Sequence, residues 1–255
     1  CRRIMTLHDL SYLLFKEFFT LRRALWHSFQ MWSFNKTNLP DKIIAVSEST
    51  KHDLVAKYGI AREKIETIYS GIADDMARPP QEELDKFRRA HNLPGEFILF
   101  LGKLEPRKNV PALIKAFNIV KSSKDFPDLH LVVVGAKGWL FKDIFKEAEE
   151  SSHKSKIIFK DYINDEDKKF YYSLASAFVY TSFFEGFGFP PLEAMACGTP
   201  VVVSNNSSLP EVVGDAGLLV DPYNAVDFSN AVKAVVGDIS LRNHLLKSGK
   251  ERVRM

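Results

Sequence analysis

Two carboxylates stand seven residues apart in the run Glu185-Gly-Phe-Gly-Phe-Pro-Pro-Leu-Glu193. A carboxylate accepts hydrogen bonds on two oxygens and so can grip neighbouring hydroxyls of a sugar. Gly186 and Gly188 let backbone approach a ligand closely, and Pro190-Pro191 suits the first positions of a helix, where no N–H is needed. Glu193 is then expected in that helix's first turn, with the N–H groups of Phe187, Gly188 and Phe189 between the two acids. The helix dipole favours an anion there, so a sugar carrying a diphosphate fits. A plainer reading has Glu193 complementing the dipole and Glu185 as an exposed loop acid. A third makes the pair the acid and nucleophile of a glycoside hydrolase. The hydrolase is disfavoured because Glu193 runs into an amphipathic helix and the apolar strand after Thr199-Pro200, as in a nucleotide-binding sheet.

A second constellation is Gly102-Lys-Leu-Glu-Pro-Arg-Lys-Asn109, in which Lys103, Arg107 and Lys108 follow an apolar strand and precede a helix. Lys103 and Lys108 can donate charge-assisted hydrogen bonds to phosphate oxygens, and the helix start adds N–H groups. Taken alone, such a loop is more often just solvated. Gly135-Ala-Lys-Gly138 reads as a simple turn.

The elements that must position these groups alternate. Strands are expected at 4–7, 42–46, 65–69, 97–101, 129–134, 157–159, 177–180 and 201–203. Helices are expected at 17–37, on the spacing of Phe18, Leu21, Leu25, Phe29 and Trp32, and at 110–120, 140–150, 166–174, 191–196 and 225–236. Ser47 caps a further helix. Uninterrupted apolar strands between helices predict parallel sheets covered on both faces, which bind ligands at the carboxyl ends of their strands. Residues 73–83, with Pro79-Pro80, read as a hinge, giving a partial domain at 1–78 and a second at 79–255.

At 255 residues and 45% hydrophobic content the chain can bury two cores. Charged residues are 26% and the net charge is +3, which excludes a nucleic-acid-binding arm or an acidic tail. Cys1 and Cys197 have no partners at ligand spacing, so a disulfide scaffold or zinc site is not expected and a reducing cytoplasm fits. No run approaches the roughly 20 apolar residues of a membrane span. Both ends read as cut within an element.

Residues 185–206, with 102–109 and Ser207-Ser-Leu-Pro-Glu-Val-Val-Gly-Asp-Ala-Gly217, resemble the retaining glycosyltransferase family 4, and the likeness covers nearly the whole chain. It implies an α/β fold of the GT-B type, two Rossmann-like doubly wound parallel-sheet domains, with the N-terminal one incomplete. It implies that Glu185 contacts donor-sugar hydroxyls, Glu193 the ribose, and Lys103 and Lys108 the diphosphate. Lys103 stands where the family more often has Arg and loses the planar fork. The turn holding Tyr162 and Ile163 matches the one whose backbone reads the base, although Tyr162 could equally be a packing residue. His8, after the first strand, is similar to the family's His near the donor sugar, and a second reading has Asp9 only orienting the loop. Ser70 stands where Asn is usual.

The activity so implied is transfer of a hexose, mannose from GDP-mannose first, from a nucleoside-diphosphate sugar to a hydroxyl of a saccharide or lipid-linked saccharide in polysaccharide or glycolipid synthesis. The anomeric configuration is retained. No cofactor, metal or nucleic acid is expected, and the cytoplasm, including peripheral contact at the inner face of the membrane, is the expected location. Alternatives are a sugar-nucleotide epimerase, a phosphorylase, for which no lysine suited to pyridoxal phosphate is identified, and a module that binds donor without turnover.

Overall fold

The computed structural model describes residues 3–19, 22 and 40–255. The chain forms two compact units, Cys1–Gly71 with Phe184–Gly188 and Ser207–Val212, and Ile72–Phe183 with Phe189–Asn206 and Val213–Met255. The division falls at Gly71, ahead of the expected boundary after residue 78. The first unit also takes in two short segments from the far half of the chain, which an assignment of contiguous domains cannot express.

In the first unit, β1 (Ile4–Leu7), β2 (Lys42–Ala45) and β3 (Ile65–Thr67) form a parallel sheet in the order β1-β2-β3. The short helix α1 (Ser11–Leu14) follows β1, and α2 (Glu48–Tyr58) joins β2 to β3. Ser47 caps α2 as expected, its hydroxyl accepting from Thr50 N, and Gly59 ends the helix at φ 63° with its N–H on Val55 O. That cap explains why β2 stops at Ala45: the backbone must turn at Ser47 to start the helix. The core gathers Leu7, Leu10, Ile43, Ala45, Leu54, Ile60 and Ile65. In β1 only Leu7 is buried, and Ile4 is 68% exposed. Of the helix expected at 17–37, the described start is a 3₁₀ helix at Lys16–Phe18, and Leu21, Leu25, Phe29 and Trp32 lie outside the described residues.

The second unit opens with α3 (Gln81–Ala90), whose first residues fall inside the span expected to be a hinge. Then come β4 (Phe97–Leu101), α4 (Val110–Ser122), β5 (His130–Val134), α5 (Lys142–Glu149), β6 (Ile157–Lys160), α6 (Asp165–Leu174), β7 (Ala177–Tyr180), α7 (Phe189–Ala196) and β8 (Val201–Ser204). The chain continues through α8 (Leu209–Val213), β9 (Gly217–Val220), α9 (Ala225–Gly237) and α10 (Ile239–Val253). All six strands are parallel, in the order β6-β5-β4-β7-β8-β9. This is the doubly wound order, in which the winding reverses between β4 and β7 and opens a crevice at their carboxyl ends. Every residue of β4, β7 and β8 is buried, as apolar strands between helices require. The sequence reading gave no range for α1, α3, α8, β9 or α10: α3 hides among charged residues, and α1 and β9 are only four residues long.

Candidate functional site

In the second unit, the turn after β4 and the end of β7 meet at that reversal. Lys103 is exposed and its ammonium lies 5.1 Å from the centre of the Trp139 ring. Lys108 is only 8% exposed; its Nζ donates to the Tyr180 hydroxyl at 2.6 Å and sits 5.0 Å from that ring's centre. Arg107, the third cation of the turn, pairs with the buried Glu105 at 3.0 Å and so is partly neutralised. The turn is fixed from behind: the Thr181 hydroxyl donates to Lys108 O and the Asn109 side-chain amide to Pro222 O. Asn109 takes a left-handed conformation (φ 52°) and provides no side-chain cap to α4.

The segment 135–138 does more than turn the chain. Leu104 N donates to Ala136 O, Gly138 N to Leu104 O, and Leu104 and Lys137 form a parallel bridge, so it braces the turn that carries Lys103. A Cβ on Gly135, at φ 154°, would stand 1.9 Å from Gly102 O, so only glycine permits this approach.

Glu193 does not lie in the first turn expected for it. Helix α7 begins at Phe189, two residues earlier, with Pro190 and Pro191 inside its first turn. The acid therefore gains little from the helix end, an effect confined to the first turn. Instead the Tyr172 hydroxyl donates to its Oε2 at 2.7 Å. Burial, then the charge of Glu193, raises the Tyr172 phenol well above its ordinary pKa, so it stays a donor. Nearby, burial pulls Lys168 down, but the hydrogen bond to Asp165 and the charges of Glu193 and Asp165 outweigh it and leave the ammonium more stable than usual. Tyr162 is 69% exposed, which sets aside a packing role; its N–H donates to Asp161, and Ile163 beside it is half-buried. Phe189 is 40% exposed. Burial pushes the Cys197 thiol up to about 12, so it is inert. Among the described residues, no group of three or more His, Cys, Asp or Glu is arranged to hold a metal.

The first unit holds the remaining candidates. His8 is exposed after β1, and Asp9 accepts from the Ser11 N–H and hydroxyl, so Asp9 orients the loop. The segment Phe184–Gly188 belongs to this unit and is seated on His8: a Cβ on Gly186 would stand 1.8 Å from His8 O. Its carbonyls are held by hydroxyls, Gly186 O by Ser47 at 2.6 Å and Glu185 O by Ser208 at 2.9 Å, while Glu185 N donates to Ser207. Glu185 is 8% exposed, which overturns the plain reading of an exposed loop acid. Phe187 is buried and lies 6.1 Å from Tyr69, ring centre to ring centre, and Gly188 has φ 117° with Leu209 close against it. Glu211 accepts from the N–H groups of Glu48 and Ser49 at 2.9 Å and so occupies the start of α2. The structure thus brings His8 and the Glu185 loop together in one unit, and in the other sets Lys103 and Lys108 in the turn at the carboxyl end of β4 and Glu193 in the helix that follows β7. Sequence reasoning passed over Tyr172, Tyr180 and Glu211, because nothing in a helix or strand pattern distinguishes a phenol used for its hydroxyl from one used for its ring.

Residues 81–252 match the family model for glycosyl transferases group 1, and residues 1–75 the one for glycosyltransferase family 4. The chain is 34% identical over 234 residues to O-antigen chain mannosyltransferase B of Escherichia coli, covering 90% of this chain and 60% of that protein. It is 30% identical over 240 residues to the serotype-specific mannosyltransferase WbdA of Escherichia coli, covering 93% of this chain and 29% of that one. The chain therefore spans less than two thirds of these relatives. Among solved structures, Anabaena HepE in complex with UDP and glucose superposes with a TM-score of 0.81 at 20% identity, over 98% of this chain and 66% of that one. WaaG, a glycosyltransferase involved in lipopolysaccharide biosynthesis, does so with a TM-score of 0.82 at 18% identity, over 99% and 70%. These likenesses carry the fold, which is of the GT-B class. With a doubly wound parallel sheet and a group 1 match over two thirds of its length, the chain belongs to the group 1 glycosyltransferases.

Proposed function

We propose that this chain is the donor-binding part of a retaining hexosyltransferase that moves mannose from GDP-mannose to a hydroxyl of a saccharide or lipid-linked saccharide acceptor. One arrangement supports the reading: Lys108, in the turn at the carboxyl end of β4, and Glu193, in the helix after β7, are a cation and a carboxylate each hydrogen-bonded to a buried phenol. Lys108 with Lys103 balances the diphosphate, Glu193 takes the ribose hydroxyls, and the backbone beside Tyr162 and Ile163 takes the base. Glu185 and His8 bind hydroxyls of the sugar. As the bond from the anomeric carbon to the phosphate oxygen breaks, negative charge grows on the departing diphosphate. Lysines already in place stabilise it without reorganisation. The same phosphate oxygen accepts the proton of the incoming acceptor hydroxyl on the face it leaves, so configuration is retained. The lysines supply the charge that a divalent ion would otherwise bring, which makes the reaction metal-independent. The choice of mannose is supported by the names of the relatives above. A lipid-linked acceptor would place the work at the cytoplasmic face of a membrane.

Calorimetric titration with GDP, UDP and ADP, each alone and as its sugar conjugate, with and without EDTA, tests this. The expected result is binding of GDP and tighter binding of GDP-mannose, unchanged by EDTA. Binding of none would end the donor reading, preference for UDP or ADP would replace the donor, and loss of binding in EDTA would overturn metal independence.

A further inference from the structure

Tyr172 and Tyr180 are 0% and 1% exposed. Phenylalanine would fill either place without the cost of burying a hydroxyl, yet both hydroxyls are engaged by charged groups. Tyr172 donates to Glu193 Oε2 at 2.7 Å, and the Tyr180 oxygen accepts from Lys108 Nζ at 2.6 Å. Phe178 joins the two rings, edge-on to Tyr172 at 5.3 Å and stacked with Tyr180 at 5.7 Å between ring centres. The acid and the cation therefore hang from one continuous aromatic row in the core. Tyr172 is tethered further by the Thr199 hydroxyl, which donates to its carbonyl at 2.6 Å.

A glutamate on a helix surface samples many rotamers, and a ligand must select one at an entropic cost. Fixing one carboxylate oxygen removes most of that choice before the ligand arrives. We propose that Tyr172 is a positioning residue for nucleotide recognition: by holding Oε2 of Glu193 it presents Oε1 to the ribose hydroxyls, while Tyr180 holds Lys108 for the diphosphate in the same way. This rests on the donor reading above. It adds that recognition of the ribose depends on a phenol that never touches the ligand.

The probes are GDP and 2′,3′-dideoxy-GDP, which differ only in the ribose hydroxyls, titrated calorimetrically into wild type, Y172F, E193A and Y172F/E193A, with thermal unfolding run on each to verify folding. Wild type should prefer GDP by about tenfold, the worth of a charge-assisted pair of hydrogen bonds after desolvation. In Y172F the preference should fall to about twofold while dideoxy-GDP binds as before, and Y172F should change nothing in the E193A background. Y180F should instead weaken both nucleotides alike, an effect absent in the K108A background. Equal weakening of both probes by Y172F would reduce Tyr172 to a structural role, and an intact preference in Y172F would remove it from recognition; either overturns the proposal while leaving the donor reading standing. If E193A keeps the full ribose preference, the donor assignment of Glu193 fails, and the proposal with it.

Discussion

Two glycines permit close backbone approaches beside candidate residues, one within each unit, and by the same means. A Cβ on Gly135 would stand 1.9 Å from Gly102 O, and one on Gly186 would stand 1.8 Å from His8 O. Their surroundings differ. Gly135 follows β5 and presses on the end of β4, two strands paired along five residues each. Gly186 brings together segments distant in the sequence, and the hydrogen bonds around it come from the hydroxyls of Ser47, Thr50 and Ser208. The lysine turn thus rests on a sheet that forms anyway, whereas the Glu185 loop is assembled from single bonds that can be removed one at a time.

Gly135→Ala should have the largest effect, costing about 3 kcal/mol or more, because the clash and the unfavourable φ act on the sheet itself. Gly186→Ala should cost about 2 kcal/mol and leave GDP affinity close to wild type, because relief by a loop shift is available there. Denaturant unfolding and calorimetry of both variants check this; loss of GDP binding in Gly186→Ala would break the contrast.

Next come the charged groups. Lys108→Ala and Glu193→Ala should each lower nucleoside-diphosphate affinity by about tenfold to a hundredfold, the worth of a hydrogen bond to a charged group. Glu185→Ala should leave GDP binding and erase the preference for GDP-mannose. Equal loss of both ligands in Glu185→Ala would overturn the assignment of Glu185 to the sugar.

The smallest effect is expected from Ser47→Ala, which removes both the cap of α2 and the bond to Gly186 O. It should cost about 1 to 2 kcal/mol. The sugar preference should weaken and GDP affinity should hold, sharpening the contrast between the units. A cost no greater than that of an ordinary surface substitution would mean the loop is held by other contacts.

Much of this was legible along the chain. The apolar runs at 97–101, 177–180 and 201–203 became β4, β7 and β8 almost residue for residue, because a strand covered on both faces needs nothing but apolar side chains. Ser47 announced its helix because capping is local chemistry. The start of α7 was misjudged by two residues, since Pro190-Pro191 tolerates either position, and that moved Glu193 out of the first turn. Exposure was left open along the chain: Glu185 is buried and Tyr162 is not, and both depend on what covers them from elsewhere.

By itself, then, the sequence determined the alternation of elements, the family and the identity of the charged groups, because periodicity, caps and motif spacing act between residues a few positions apart. Only the tertiary structure decided that the winding reverses between β4 and β7, that Phe184–Gly188 belongs with His8, and that Tyr172 and Tyr180 carry Glu193 and Lys108. Each of these is a contact between distant residues made by a backbone approach or a single buried hydroxyl. A side chain's partner across the fold leaves no periodic trace in the chain that encodes it.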